Sequence, residues 1–386
     1  MAVWKPKHTP QVLREILSST QHLGLLLGAG ASRCQGYPLM DELTEDALTK
    51  LPRRSTRILQ YVVDHAFANT YFNVEHMLGV LFTYEHIGDF SEDELNDTIL
   101  RLKAHIFSCV SAPPATDDHK RFFGALLAKV RNAGPIEVFT TNYDLAIERA
   151  LDRLGVSYTT GFTGSFSRNW SERLFRTVLV GPNEMADSSR RVVPCLYCKV
   201  VKLHGSISWY WDDQRFLHER DSVQPPIFDL ARVPIVYPTP QKRAETQWIS
   251  PFREMFAYFV DSASTRPLDL VVIGYSFRDD HLNELLHEAM ACNRELHVLV
   301  FARDEEEVPS EVRTSKRHGA IVGSPGYEFE RVAQVLEDIE VERDTEVVTW
   351  RTTRAEDVAA LIPDRYTWDP LDGLRNRATV APNLRL

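Results

Sequence analysis

Six short apolar runs constrain the fold of this chain more than any other feature of its sequence. Helical patterns separate most of them, and the runs lie at 23–27, 136–140, 200–203, 234–237, 268–273 and 296–301. Uninterrupted apolar runs of this length are typical of strands that are buried on both faces. Strands that alternate with helices predict a mostly parallel sheet covered by helices on both sides, which is a doubly wound α/β fold.

A block of helical patterns interrupts this alternation after the first run. Between about 41 and 131, apolar residues recur at intervals of three and four, which predicts several amphipathic helices. One more helix is predicted after the last run, before the periodicity ends in a tail that contains proline and arginine. We therefore expect a Rossmann-like domain over 1–305 with a helical insertion at about 41–131. A short C-terminal extension over 306–386 would be an arm for oligomer or partner contact.

Composition limits the classes of function that the chain can serve. Its formal net charge is −10, and a chain this acidic is a poor autonomous nucleic-acid binder, so we expect nucleic-acid contact only through a complex. The N-terminus lacks the apolar segment of a signal peptide, and no window has the roughly 18 apolar residues that span a bilayer. Five scattered cysteines favour a reducing compartment. These features predict a cytoplasmic protein without membrane contact.

Small, polar or ionisable residues follow four of the predicted strands. The four segments are GAGAS at 28–32, TTNYD at 140–144, HGS at 204–206 and GYSF at 274–277. Ligands bind outside the carboxyl ends of the strands in an open parallel sheet, so the segments together predict a ligand site. Gly28 and Gly30 would let the backbone approach a pyrophosphate closely. Asn142 and His204 supply an amide and an imidazole that suit positioning and proton transfer.

Each segment also has a simpler interpretation when it is considered alone. A GxG after a strand is often a plain tight turn, and a His-Gly pair is usually a loop. Asp144 stands where it can cap the following helix, as do Asp279 and Asp280 in their own segment. Arg33 replaces the third glycine of the dinucleotide fingerprint, which argues against a dehydrogenase. The joint placement of the four segments therefore indicates the site better than any one of them.

The set GAGAS…GYP, TTNYD, LHGS and GYSFRDD resembles the sirtuin-like fold in its bacterial antiphage-defence branch. The resemblance covers about 20–302 and implies hydrolysis of NAD⁺ to nicotinamide and ADP-ribose. It implies three catalytic residues. Asn142 would orient a water or the nicotinamide ribose, Asp144 would contact the nicotinamide carboxamide, and His204 would accept a proton from a ribose hydroxyl or the incoming water.

The resemblance also implies residues that bind NAD⁺. The first glycine segment would hold the diphosphate and a ribose, and the last segment would hold the ribose on the adenosine side. The implied binding residues are Gly28, Ala29, Gly30, Ser32, Thr141, Gly274, Tyr275 and Ser276. A helical element at about 73–78 would lie over the pocket.

Two departures from the family pattern favour hydrolysis over deacylation. Deacylating sirtuins have Asp-Phe-Arg after the Gly-x-Pro, whereas LMD follows GYP here. They also carry a zinc module with two CxxC pairs after the catalytic histidine, whereas this chain has the single pair Cys195-x-x-Cys198 before it. Structural zinc normally has four ligands, so we expect no zinc and no other metal. Two alternatives stay open: an NAD⁺-dependent deacylase or ADP-ribosyl transferase, and a nucleotide-binding subunit of a nuclease or ATPase defence complex.

The small amount of chain outside the predicted domain implies a partner. A unit of 386 residues with little appended resembles the type of defence sirtuin that assembles with a separate HerA-type hexameric ATPase. Depletion of NAD⁺ is toxic and needs a restraint. We therefore expect a homo-oligomer whose activity in abortive infection is gated by assembly with that ATPase.

Overall fold

The structure of this chain is a computed structural model. It describes residues 2–4, 6–67, 71–83, 88–130, 135–164, 168–177, 180–182, 192–194, 198–220, 232–234, 249–303, 305–314, 318–323 and 329–339. Three predicted features fall outside these residues: most of the strand at 234–237, Cys195 of the CxxC pair, and the tail after residue 339.

The strands and helices are numbered separately along the chain. The strands are β1 (Ala2–Trp4), β2 (Leu23–Leu27), β3 (Ile136–Thr140), β4 (Tyr158–Thr159), β5 (Phe162–Thr163), β6 (Arg168–Trp170), β7 (Val180–Pro182), β8 (Val192–Pro194), β9 (Cys198–Lys202), β10 (Trp209–Trp211), β11 (Leu217–Glu219), β12 (Leu268–Ile273), β13 (Leu296–Ala302) and β14 (Gly319–Val322). The helices are α1 (Thr9–Ser19), α2 (Ala29–Ser32), α3 (Met40–Lys50), α4 (Arg53–Ala66), α5 (Val74–Thr83), α6 (Glu92–Ser111), α7 (Asp118–Lys129), α8 (Ala146–Arg153), α9 (Phe252–Thr265), α10 (Asp280–Cys292), α11 (Ser310–Thr314) and α12 (Phe329–Asp338).

Eight of the strands form one sheet in the order β1-β14-β13-β12-β2-β3-β9-β4. Every pair of neighbours in this sheet is parallel. Five of the apolar runs in the sequence form β2, β3, β9, β12 and β13, which lie side by side in the middle of the sheet. The predicted doubly wound α/β fold is therefore confirmed.

Each central strand contributes to two hydrophobic cores, one on each face of the sheet. In β2, Leu25 and Leu27 pack against α1, α7, α8 and α12 on one face. Leu26 points to the other face, where α9 and α10 cover the sheet. Because successive side chains of a strand alternate between faces, burial on both sides requires an unbroken apolar run.

The helices α3 to α6 form a helical block between β2 and β3. They share a core of their own, which includes Leu59, Leu78 and Leu102. Ile207, from the loop after β9, packs into the same core, so the block lies against the carboxyl ends of the strands. The helix α7 packs instead on the sheet together with α12. The sequence placed the insertion at about 41–131, whereas the block with a separate core ends at Ser111.

A small antiparallel sheet of order β10-β11-β6-β5 lies in segments where no strand was predicted from the sequence. These strands have two or three residues each, which is too short for a periodic pattern to be visible. Trp209 of β10 is buried against Phe162 and Trp170, and this aromatic cluster anchors the small sheet on the core beside α9. None of the helices within the described residues is long and apolar enough to cross a membrane.

Candidate functional site

The four polar segments predicted from the sequence meet at one edge of the main sheet. They follow β2, β3, β9 and β12, which are neighbours in the order β12-β2-β3-β9. Because these strands are parallel, their carboxyl ends lie at the same edge. The chain runs from β2 to β3 on one side and returns to β12 on the other side of β2. This is the kind of topological switch point at which open α/β sheets bind ligands.

Gly28, Gly30 and Gly274 hold the loops after β2 and β12 in direct backbone contact. The amide of Gly30 donates to the carbonyl of Gly274 at 2.9 Å, and Gly274 has a φ of 67°. A Cβ on Gly28 would lie 2.5 Å from the Gly274 carbonyl oxygen, and one on Gly274 would overlap the amide nitrogen of Ala31. These glycines are therefore required where the two loops touch. The sequence had explained Gly28 and Gly30 by the approach of a pyrophosphate.

Asn142 joins the segment after β3 to the segment after β2. Its Nδ2 donates to the carbonyl of Gly28 and to the hydroxyl of Ser32, both at 2.9 Å. Its own amide nitrogen donates to Thr140 Oγ1, and the hydroxyl of Thr140 donates to the carbonyl of Leu27. The side chain of Asn142 is almost fully buried. Both of these contacts use the amide nitrogen, so Gly28 and Ser32 fix the orientation of the side chain.

Asp144 caps the helix that leaves the site. Its Oδ1 accepts from the amide of Ala146 at 2.8 Å, at the first residue of α8. The simpler interpretation of this residue is thus what the structure shows, and its contact with a nicotinamide carboxamide stays a prediction.

A buried lysine fixes the position of this cap from below. Lys202, the last residue of β9, is fully buried and donates to Glu148 Oε1 at 2.9 Å and to the backbone carbonyl of Asp144. A buried charge needs such partners, because an unpaired ammonium in the protein interior is strongly destabilising. The pair therefore fixes the loop after β3 relative to the loop after β9. Lys202 was not among the residues predicted from the sequence, although a lysine inside an apolar run was a visible signal.

His204 contacts an aspartate that reaches it from another segment. Its Nε2 lies 2.8 Å from Asp279 Oδ2, and the two side chains are only 8% and 10% exposed. Asp279 also accepts from the amide of Leu282, so it caps α10 as the sequence predicted. Its contact with His204 was not foreseen, because nothing in the sequence relates two residues that lie on different loops.

The loop after β12 turns one of its predicted site residues inward and one outward. Tyr275 is buried and donates from its hydroxyl to Asn283 Oδ1 at 2.9 Å, and burial raises the pKa of this phenol well above its ordinary value. Tyr275 therefore anchors the loop on α10. Ser276 is exposed next to it, and Phe277 has a φ of 54°, which leaves the loop in a strained left-handed turn.

The remaining predicted residues lie around the same edge. Ser32 is buried and accepts from Asn142, whereas Ala29 is exposed at the start of the one-turn helix α2. The amide of Thr141 donates to the carbonyl of Leu27 at 3.2 Å, which ties β3 to β2 at the point where both end. The structure therefore brings all the predicted site residues to one edge.

The helical block covers part of this edge. The helix α5 starts at Val74, near the predicted element at 73–78, and its Glu75 accepts from the hydroxyl of Tyr143 at 3.3 Å. On the other side of the block, Tyr71 donates to Asp41 at 2.8 Å and lies under the guanidinium of Arg278. The site is thus bordered by the block through Tyr143 and through the loop after β12.

Residues 136–319 match the family model described as the SIR2-like domain. The matched residues contain TTNYD, LHGS and GYSFRDD, and they make up just under half of the chain. The matched segment supports the sirtuin-like resemblance seen in the motifs.

Two solved structures of Sir2 proteins are similar to this chain in outline. One comes from work on the structural basis for the mechanism and regulation of Sir2 enzymes. It has a TM-score of 0.43 and 14% sequence identity, and the similarity covers 85% of this chain and 97% of that chain. The other is a triple mutant of a Sir2 homologue in complex with 2′-O-acetyl ADP ribose. It has a TM-score of 0.39 and 14% sequence identity, and the similarity covers 84% of this chain and 96% of that chain. No curated protein sequence matches the chain.

Proposed function

We propose that this chain is an NAD⁺ hydrolase that cleaves the bond between nicotinamide and ribose to give nicotinamide and ADP-ribose. The observation that carries the proposal is the joint placement of Asn142, Ser32, His204 and Asp279 at the switch point of the sheet. A SIR2-like segment supplies three of these four residues. Hydroxyl, amide and imidazole groups suit a ligand that presents ribose hydroxyls.

The chemistry needs only a few groups from the protein. Cleavage of an N-glycosidic bond builds positive charge on the anomeric carbon, as in glycoside hydrolysis. The bonding electron pair leaves with the nicotinamide nitrogen, which becomes neutral, so the leaving group needs no strong acid. Water then bonds to the anomeric carbon and loses a proton. The protein has to hold the ribose, stabilise the charge and accept that proton.

Asn142 and His204 can supply these roles. The nitrogen of the Asn142 side chain is held by Gly28 and Ser32, so its oxygen can accept from a ribose hydroxyl or from the attacking water. Asp279 Oδ2 lies 2.8 Å from His204 Nε2, so a carboxylate stands next to the imidazole and stabilises the positive charge that the ring gains when it takes up a proton. The imidazole can take that proton from water or a ribose hydroxyl.

The wider proposal is a role in antiphage defence. In it, the chain forms a cytoplasmic homo-oligomer with a HerA-type ATPase, and this assembly restrains NAD⁺ depletion until infection. Its support is the resemblance of the four motifs to the defence branch, together with the need to restrain a toxic activity. The test is to co-express this chain with a HerA-type ATPase encoded next to it and to challenge the cells with phage. Survival of the culture should depend on His204.

The test of the activity is direct. The purified chain, alone and with its ATPase, is incubated with NAD⁺, and nicotinamide and ADP-ribose are separated and quantified. We expect equal amounts of the two products. Release of nicotinamide only when an acylated peptide is present would indicate a deacylase, and no release in any arm would overturn the proposal.

A further inference from the structure

Three side chains of the helical block converge on one another, and none of them belongs to the strand-end site. They are Asp46 of α3 and His105 and Cys109 of α6, and one potential ligand atom from each lies within 4.8 Å of the other two. His105 Nε2 and Cys109 Sγ are 3.8 Å apart. Two ligands of a tetrahedral zinc ion are separated by roughly 3.3 to 3.8 Å, as follows from metal–ligand bonds of about 2.0 to 2.3 Å. The histidine–cysteine distance is therefore already close to that of a metal site.

The secondary structure explains why these side chains meet. His105 and Cys109 are four residues apart in α6, so they lie one turn apart on the same face of the helix. The helix α3 packs against α6 and presents Asp46 to that face. All three residues are half-buried, which leaves one side of the cluster open to solvent.

We infer that Asp46, His105 and Cys109 form a Zn²⁺ site that links α3 to α6, with water as the fourth ligand. A thiolate and an imidazole do not suit Mg²⁺ or Ca²⁺, which prefer oxygen ligands. The same pair suits zinc, and three protein ligands with an open position are a usual zinc arrangement. The inference does not depend on NAD⁺ hydrolysis, because no residue of the strand-end site takes part.

Lys50 is the group that a metal ion would displace. Its ammonium lies 2.7 Å from Asp46 Oδ2 in the structure, but its side chain is 65% exposed on the last turn of α3. An exposed pair of this kind contributes little to stability, so Lys50 can turn into solvent at small cost. The carboxylate then exchanges an ammonium partner for a divalent ion.

No metal was predicted from the sequence, because this cluster leaves no signature there. Ligands on two helices that lie about 60 residues apart have no spacing signature, so only the packing of α3 on α6 reveals the cluster.

Cobalt binding tests the site through a spectrum that reports thiolate ligation. The full-length chain is freed of metal with a chelator and titrated with Co²⁺, and the charge-transfer absorption of a cobalt–thiolate bond is followed. Zn²⁺ is then added to displace the cobalt. We expect one Co²⁺ per chain, loss of the band in Cys109→Ser, and binding at least about tenfold weaker in His105→Gln and in Asp46→Asn.

Matched variants separate this site from other thiols. Cys292→Ser removes an exposed free cysteine and should leave the titration unchanged. Cys195→Ser tests the CxxC pair, and a band lost there but kept in Cys109→Ser would overturn the inference. A thermal melt provides a second readout, since Zn²⁺ should raise the midpoint of the parent and of Cys292→Ser but not of Cys109→Ser. Absence of Co²⁺ and Zn²⁺ binding to the parent would also overturn it.

Discussion

Two histidine–aspartate pairs lie at opposite edges of the same parallel sheet. At the carboxyl edge, His204 Nε2 is 2.8 Å from Asp279, and at the amino edge, His297 Nδ1 is 2.9 Å from Asp269. The distances are nearly equal, but the surroundings differ. The side chain of His204 is 8% exposed, whereas that of His297 is 57% exposed. A short contact between the two residue types therefore does not by itself mark a site.

The two pairs also differ in what they connect. Asp269 and His297 stand opposite each other in the register of β12 and β13, so their contact is a simple consequence of strand pairing. His204 and Asp279 lie on loops after β9 and β12, which are separated in the sheet by β2 and β3. Their contact brings an imidazole to the cap of α10 beside the loops held by Asn142. Burial also reduces screening by salt, which strengthens the contact at the carboxyl edge.

Removal of the two imidazoles is the strongest test of this comparison. His204→Ala should lower the rate of nicotinamide release by roughly 10²- to 10⁴-fold, the usual contribution of a general base. His297→Ala should leave the rate unchanged, because its pair lies at the other edge. Nicotinamide release is measured for both variants, with circular dichroism to check the fold. Parent-like release by His204→Ala would refute the assigned site.

The backbone contact at the carboxyl edge is tested by Gly274→Ala. The alanine would have to adopt a φ of 67°, and its Cβ would overlap the amide nitrogen of Ala31. We therefore expect a loss of about 2 to 4 kcal/mol in the free energy of unfolding. Gly155→Ala is the matched control, because Gly155 has a φ of 65° and nothing within 4 Å of the added atom. It should lose only about 1 to 2 kcal/mol. If urea denaturation gave equal losses of unfolding free energy for the two variants, the close contact between the loops after β2 and β12 would not contribute to stability.

The aspartates provide a smaller and more specific test. Asp279→Asn keeps the size of the side chain and removes the charge that faces His204, so nicotinamide release should fall about 10- to 100-fold. Its pH–rate profile should also shift, which loss of a helix cap alone would not produce. Asp269→Asn is the control and should change neither the rate nor the profile. Identical pH–rate profiles for the parent and Asp279→Asn would show that Asp279 does not position His204.

The contact between the helical block and the loop after β12 should have the smallest effect. Arg278 lies over the ring of Tyr71, 4.7 Å from its centroid, and both side chains are largely exposed. Arg278→Ala should therefore raise the KM for NAD⁺ about two- to fivefold with little change in kcat. Arg294→Ala, an exposed arginine beyond the end of α10, should leave both constants unchanged. An unchanged KM in Arg278→Ala would show that the contact between Arg278 and Tyr71 does not contribute to substrate binding.

The fold could be predicted from the sequence more completely than the residue contacts at the candidate site. Runs that are buried on both faces must be continuously apolar, so β2, β3, β9, β12 and β13 were visible in the sequence. The strands of the small sheet were missed because two or three residues carry no periodic pattern. For Gly28 and Gly30, the explanation from the sequence was incomplete, since their partner Gly274 lies far away in the sequence.

The sequence by itself determined the parallel order of strand and helix, the polar segments at the strand ends and the positions of Asn142 and His204. These follow from local patterns, because buried strands are continuously apolar and polar residues follow directly where the strands end. Only the tertiary structure decided that Ser32 holds Asn142, that Asp279 faces His204 and that Lys202 supports the cap of α8. Such contacts join loops from different strands, and their distances depend on how the sheet arranges those loops.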